Sequence, residues 1–116
     1  MQVIKNKIQI DELKKTAEEM FGNLVKAVVD VEKKIMVIGG ELHSDEETIL
    51  IENGSKQQNL WGINLYPEIK DENWIEFDSM INLRPSQGNR TRGIDNPEIR
   101  KSIIEIVNSL VKKSSS

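Results

Sequence analysis

Two stretches decide the fold: Leu60-Trp61-Gly62-Ile63-Asn64-Leu65-Tyr66-Pro67 and Trp74-Ile75-Glu76-Phe77-Asp78-Ser79-Met80-Ile81-Asn82-Leu83-Arg84. Both alternate with the period of a β-strand, in which successive side chains point to opposite faces of a sheet. Trp61, Ile63 and Leu65 form an apolar side, and Gly62, Asn64 and Tyr66 the other. In the second stretch Ile75, Phe77, Ile81 and Leu83 fall on one face, and Trp74, Glu76, Asp78, Met80, Asn82 and Arg84 on the opposite one. Pro67 opens a polar connection, so the two strands are expected to pair as antiparallel neighbours. Placing Tyr66 beside Trp74 sets Asn64 beside Glu76 and Gly62 beside Asp78, with open space above Asp78. The expectation is a polar cluster of Asn64, Tyr66, Glu76, Asp78 and Asn82 on one face, leading into a loop at residues 84–93.

Outward from this pair, residues 3–8 read as a short strand. Ile10, Leu13, Ala17, Met20 and Phe21 recur at helical spacing until Gly22, which can turn left-handed and end the helix. Residues 24–31 alternate around Val25, Ala27, Val29 and Val31, and residues 35–38 return after the polar turn Glu32-Lys33-Lys34, which predicts a hairpin. Ser44-Asp45-Glu46-Glu47 has the pattern of a capping box opening a short helix through Glu52. The β-branched run at Thr48–Ile51 leaves a strand as the alternative. Asn96-Pro97-Glu98 opens the last helix, with Asn96 as cap and Pro97 at the first helical position. Ile99, Ile103, Ile106, Val107, Leu110 and Val111 form its apolar side, and residues 114–116 are expected to be a frayed tail. The order β-α-β-β-(α)-β-β-α predicts one α+β domain over residues 1–113: a mainly antiparallel sheet of about five strands with two longer helices packed on one face.

Composition narrows the chemistry. The chain has 116 residues, no cysteine and a formal net charge of −3. Thiolate catalysis, disulfides and cysteine–zinc sites are excluded. No apolar run approaches the roughly 20 residues that cross a bilayer. No signal-peptide pattern opens the chain, so a cytoplasmic protein without membrane contact is expected. The acidic balance disfavours general attraction to nucleic acid. The preference for Lys, Glu and Arg is a bias shared with heat-adapted proteins. All four arginines (Arg84, Arg90, Arg92, Arg100) lie in the last third, and the segment from Ser79 to Ile94 holds three of them and no acid.

That segment, Arg84-Pro85-Ser86-Gln87-Gly88-Asn89-Arg90-Thr91-Arg92-Gly93, is the least generic piece of chemistry. A guanidinium offers a planar fork of donors matched to phosphate or carboxylate. A ligand-binding set of Arg84, Gln87, Asn89, Arg90 and Arg92, with Asn64, Tyr66 and Asn82 from the adjoining face, is therefore one reading. In the other, the arginines tie the loop down by pairing with carbonyls and with Glu76 or Asp78. The loop matches neither the GxxxxGK[ST] nor the GxGxxG phosphate pattern. Glu76 and Asp78 are candidates for acid/base work, with His43, the single histidine, as an assistant. One histidine with no second beside it argues against a metal site, and no cofactor is expected. Trp74, on the polar face, is the candidate exposed aromatic, and Trp61 is expected in the core.

The strings Leu60–Pro67 and Glu76–Arg90, together with Ile38-Gly39-Gly40-Glu41-Leu42-His43 and residues 95–99, resemble a small prokaryotic family known as a domain of unknown function. The resemblance covers most of the chain. It implies a free-standing prokaryotic domain and transfers no catalytic residue. Three function classes follow: a small anion-binding domain using the arginine loop, a hydrolase-like enzyme on a phosphorylated or acidic substrate with Glu76 or Asp78 as acid/base, and a homo-oligomeric interaction protein. The last would make contact through the final helix or the Trp74/Met80 face.

Overall fold

The computed structural model describes residues 1–113; the tail expected at residues 114–116 lies outside the described residues. In chain order the elements are β1 (Gln2–Ile4), β2 (Ile8–Gln9), α1 (Ile10–Glu19), β3 (Val25–Asp30), β4 (Ile35–Ile38), α2 (His43–Glu52), β5 (Leu60–Leu65), β6 (Ile75–Glu76), α3 (Pro97–Leu110) and β7 (Val111–Lys112), with short 3-10 turns before β5 and between β5 and α3. The main sheet has the strand order β1-β4-β3-β5-β6, and every pairing in it is antiparallel. This is the expected α+β architecture.

The β3–β4 hairpin closes at the polar turn because Asp30 organises it. Its buried Oδ1 accepts the Glu32 and Lys33 amides at 2.9 Å each, and its Oδ2 accepts the Ser55 hydroxyl at 2.6 Å. One face of the sheet presents Val25, Ala27, Val29, Met36, Ile38, Trp61, Ile63 and Leu65 to the apolar sides of α1 and α3. Each fully buried Val, Leu or Ile contributes roughly 1.5–3 kcal/mol. The opposite face is half covered: Val28, Val37 and Leu60 pack against Leu50 of α2, with Ile81 at the margin. The two amphipathic helices α1 and α3 thus share one face, and α2, no shorter than α1, sits alone on the other.

Several boundaries differ from the alternation pattern. The strand expected at residues 3–8 is two short strands. The second, β2, pairs in parallel with β7 and joins the start of α1 to the end of α3. Val111 is accordingly a buried strand residue rather than the last turn of the helix. Residues 43–52 are helical, so the strand alternative at 48–51 is wrong. Its N-cap position is Leu42, and the Ser44 side chain caps nothing. The expected strand at 74–83 survives only as Ile75–Glu76. The register there is the expected one: Asn64 faces Glu76, and the Tyr66 amide donates to the Trp74 carbonyl at 2.8 Å. Trp74, expected to be exposed, is buried against the α1/α3 core beneath the Lys113 ammonium. It closes a 3-10 turn, Glu72–Trp74, whose roughly 120° step per residue cancels the strand alternation.

Candidate functional site

Beyond Glu76 the chain leaves β5, and side chains take over the pairing that a longer β6 would make. Asn82, fully buried in a 3-10 turn, accepts the Gly62 amide on Oδ1 at 2.8 Å and donates from Nδ2 to the Gly62 and Arg92 carbonyls at 2.9 and 3.0 Å. Arg84 donates from Nε to the Ile81 carbonyl at 2.9 Å, from Nη1 to the Gln57 carbonyl at 3.0 Å and from Nη2 to the Leu60 carbonyl. Its guanidinium stacks 4.7 Å from the Trp61 ring centre and lies 3.6 Å from Glu47 Oε2. Burial pulls its pKa down, and Glu47 partly offsets that. Asn89 is used in the same way: Nδ2 donates to the Asn82, Thr91 and Gly93 carbonyls, and Oδ1 accepts the Asp95 amide at 2.8 Å. An open edge strand needs its backbone polar groups satisfied, and three sequence-nominated ligand residues, Asn82, Arg84 and Asn89, are committed to that task or to the loop itself. Gln87 reaches the Gln58 carbonyl at 3.4 Å. Arg90 is exposed, and its amide donates to Asp95 at 2.9 Å.

The other nominated residues do converge. Glu76 Oε1 accepts Asn64 Nδ2 at 2.9 Å and the Tyr66 hydroxyl at 3.0 Å, and Asn64 Nδ2 also lies 3.3 Å from the Asp78 carbonyl. Burial, then Glu76, pushes the Tyr66 phenol up. Asp78 Oδ1 accepts Arg92 Nε at 2.8 Å, and the Arg92 side chain is 56 % exposed, unlike that of Arg84. The space above Gly62 is filled rather than open. A Cβ there would lie 2.6 Å from Ser79 Cβ and Oγ and 3.2 Å from His43 Cδ2. His43 is buried, and its Nε2–H donates to the Ile63 carbonyl at 2.8 Å. Burial pulls its pKa below the ordinary value, against the opposing pull of that carbonyl, and the Lys26 charge lowers it further. The Asp78 charge and the Asn64 carboxamide raise it. The histidine therefore belongs to the polar cluster.

Of these groups His43, Ser79 and Arg92 line a cleft of about 170 Å³, together with Lys26, Leu42, Ser44, Met80 and Ile81. Because Leu42 supplies no side-chain cap, the His43 and Ser44 amides at the positive end of α2 have no acceptor among the described residues. Lys26 and Ser79 were not singled out by sequence reasoning, and Ser44 was read only as the cap of α2. Lys26 was within reach of it, because it lies directly across from Asn64 on the same face of β3. Ser79 was not, since its position depends on the 3-10 turn it caps through the Ile81 amide. The contact surfaces envisaged for self-association are largely internal: Trp74 and the apolar side of α3 lie in the core, leaving Met80 exposed.

Among the described residues no group of three or more His, Asp or Glu is placed to hold a metal ion, and no helix is long and apolar enough to cross a membrane. The family model described as "Protein of unknown function (DUF5674)" matches residues 2–110. No curated protein and no solved structure matches the chain.

Proposed function

We propose that this chain, which belongs to the DUF5674 family, is a small-ligand-binding domain that takes an anionic group in the cleft between the start of α2 and residues 78–92. The observation that carries the reading is the state of Arg92. Its Nε is held by Asp78, its side chain is more than half exposed, and it stands at a cleft shared with Lys26, Ser79 and the unacceptored His43 and Ser44 amides. Of the nominated arginines, Arg84 is the structural one and Arg92 the ligand-facing one. A helix start, a hydroxyl and a guanidinium line one cleft, and donors of these kinds suit a carboxylate or phosphate oxygen.

The test is an amide and guanidinium NMR titration with inorganic phosphate and with acetate. Shifts concentrated at His43, Ser44, Ser79 and Arg92 are expected, and Arg92→Ala should weaken binding about tenfold, the usual worth of a charge-assisted hydrogen bond. Unchanged spectra with both anions at tens of millimolar (roughly the weakest useful range) would overturn the reading.

A second reading, a hydrolase acting on an acidic substrate, is favoured by the 2.8 Å contact that brings Asp78 to Arg92. Its test is turnover of phosphate and carboxylate esters, with Asp78→Asn abolishing it; absence of turnover above the Asp78→Asn background would remove it.

A further inference from the structure

The anion cleft does not end at Lys26. Lys26 and Leu42 also line a second, wider depression of about 480 Å³, completed by Glu19, Met20, Phe21 and Glu41. Its floor is apolar and exposed: Phe21 is 43 % accessible, Leu42 55 % and Met20 37 %. The Lys26 ammonium lies 4.8 Å from the Phe21 ring centre and donates to the Glu41 carbonyl at 2.9 Å, which fixes a cation on the boundary between the two depressions. Met80, 62 % exposed, flanks the polar end. Met20, Phe21 and Leu42 around a shallow trough form an adaptable apolar surface.

We infer that the ligand is an amphiphile with one carboxylate: the head lies in the cleft of His43, Ser79 and Arg92, and an apolar tail lies in the trough of Met20, Phe21 and Leu42. The inference rests on the anion-binding reading and adds the nature of the rest of the molecule. Charge sets the direction. Cations stand in the cleft and at the junction, whereas the trough itself is lined by Glu19 and Glu41, so a second anionic group on the tail would meet like charge. The combined space is that of an ordinary small-molecule site. It is open on one side, so an unbranched tail of a few carbons fits it without any movement of α1 or α2.

The experiment is a titration of the full chain with acetate, butanoate, hexanoate and octanoate, each below its aggregation limit, followed by NMR. Affinity should rise with length by up to about fourfold per methylene, the value for full removal of a CH₂ from water. Shifts should spread from His43 and Ser79 to Met20, Phe21 and Leu42. Phe21→Ala should remove most of the gain between acetate and octanoate, whereas Arg92→Ala should weaken every member by a similar factor. Phe21 is partly exposed, so the variant should fold; Leu42→Ala serves the same purpose should it not. If acetate binds and octanoate binds no more tightly, the apolar-tail inference is overturned and the anion cleft stands. If no member binds, both fall. Binding to vesicles containing phosphatidylglycerol without binding to monomeric octanoate would also overturn the inference, since the trough would then be a lipid-surface contact.

Discussion

The Asn82 carboxamide pairs with the Gly62 peptide group as a neighbouring strand would, accepting its N–H at 2.8 Å and donating to its C=O at 2.9 Å. Two further carbonyls of the same region, those of Leu60 and Arg92, are met by Arg84 and again by Asn82. The segment that looked most like a binding loop in sequence is thus held to the sheet by side chains that imitate backbone.

Asn82→Ala should therefore be among the most damaging single changes. It leaves the buried Gly62 amide and carbonyl without partners and takes one of two donors from the Arg92 carbonyl, which keeps the Ser79 amide, and each unsatisfied group costs about 1–3 kcal/mol. A loss of about 3 kcal/mol or more is expected in urea unfolding, seen as a lower midpoint at an unchanged slope. Asn82→Asp keeps the acceptor but loses both donors and adds a buried charge, so it should be no better than alanine. A loss below about 1 kcal/mol for Asn82→Ala would show that water replaces the carboxamide.

Gly62→Ala should destabilise by steric overlap, because the new methyl would stand 2.6 Å from Ser79 Cβ. Overpacking of this kind costs about 1–3 kcal/mol. Ser79→Gly should recover most of that loss in the Gly62→Ala background while being destabilising alone. A double-mutant cycle by chemical denaturation measures the coupling; additive effects would place Ser79 elsewhere.

Arg84 and Arg92 should separate stability from binding. Arg84→Lys cannot reproduce a fork that meets three carbonyls and stacks on Trp61, so about 2 kcal/mol of stability should be lost. Arg92→Ala breaks an exposed pair with Asp78 and should cost about 1 kcal/mol or less. Anion titrations should show the reverse order: binding is largely retained in folded Arg84→Lys and is weakened in Arg92→Ala.

The legible part of the fold was the part governed by strict periods. Asn64 meets Glu76 because a proline-initiated connection of polar residues leaves one antiparallel register for two alternating strands, and the period of two fixes the faces. From Phe77 onward that period fails, since turns at Met80–Asn82 and Pro85–Gln87 rotate side chains differently, and Arg84 points back to Leu60 rather than out of a strand. His43 was illegible for another reason. Its burial depends on α2 crossing the polar face of the sheet, a tertiary choice that no local spacing records. The arginine loop shows both outcomes at once: its composition marked a special region, but the same donors serve a ligand or a carbonyl equally well, and only the geometry divides Arg84 from Arg92.

Glu46 makes the last prediction, and it concerns pH. Its carboxyl is fully buried on α2, with Oε2 accepting the Gly40 amide at 2.9 Å and Oε1 without a partner. Burial pushes its pKa up to about 9, against the pull of the Gly40 amide, Lys26 and the chain's amino terminus. In the unfolded chain the group titrates near its ordinary 4.5. Between those two values the folded state holds the proton and the unfolded state does not, so the stabilising contribution is fully present below 4.5 and is lost as pH rises towards 9, by up to ~1.4 kcal/mol per pH unit. His43 acts in the opposite sense. Its folded pKa lies below 6.5, so stability falls as pH drops through 6.5 towards that lower value. Glu46→Gln keeps a neutral acceptor for Gly40 and cannot ionise. It should flatten the decline of the urea midpoint between pH 7 and pH 9 and be more stable than the parent at pH 8, leaving the acid-side loss, which His43→Gln should reduce. A parent midpoint that stays level from pH 7 to pH 9 would mean that Glu46 is ionised in the folded chain, with Lys26 and the amino terminus close enough to compensate the charge.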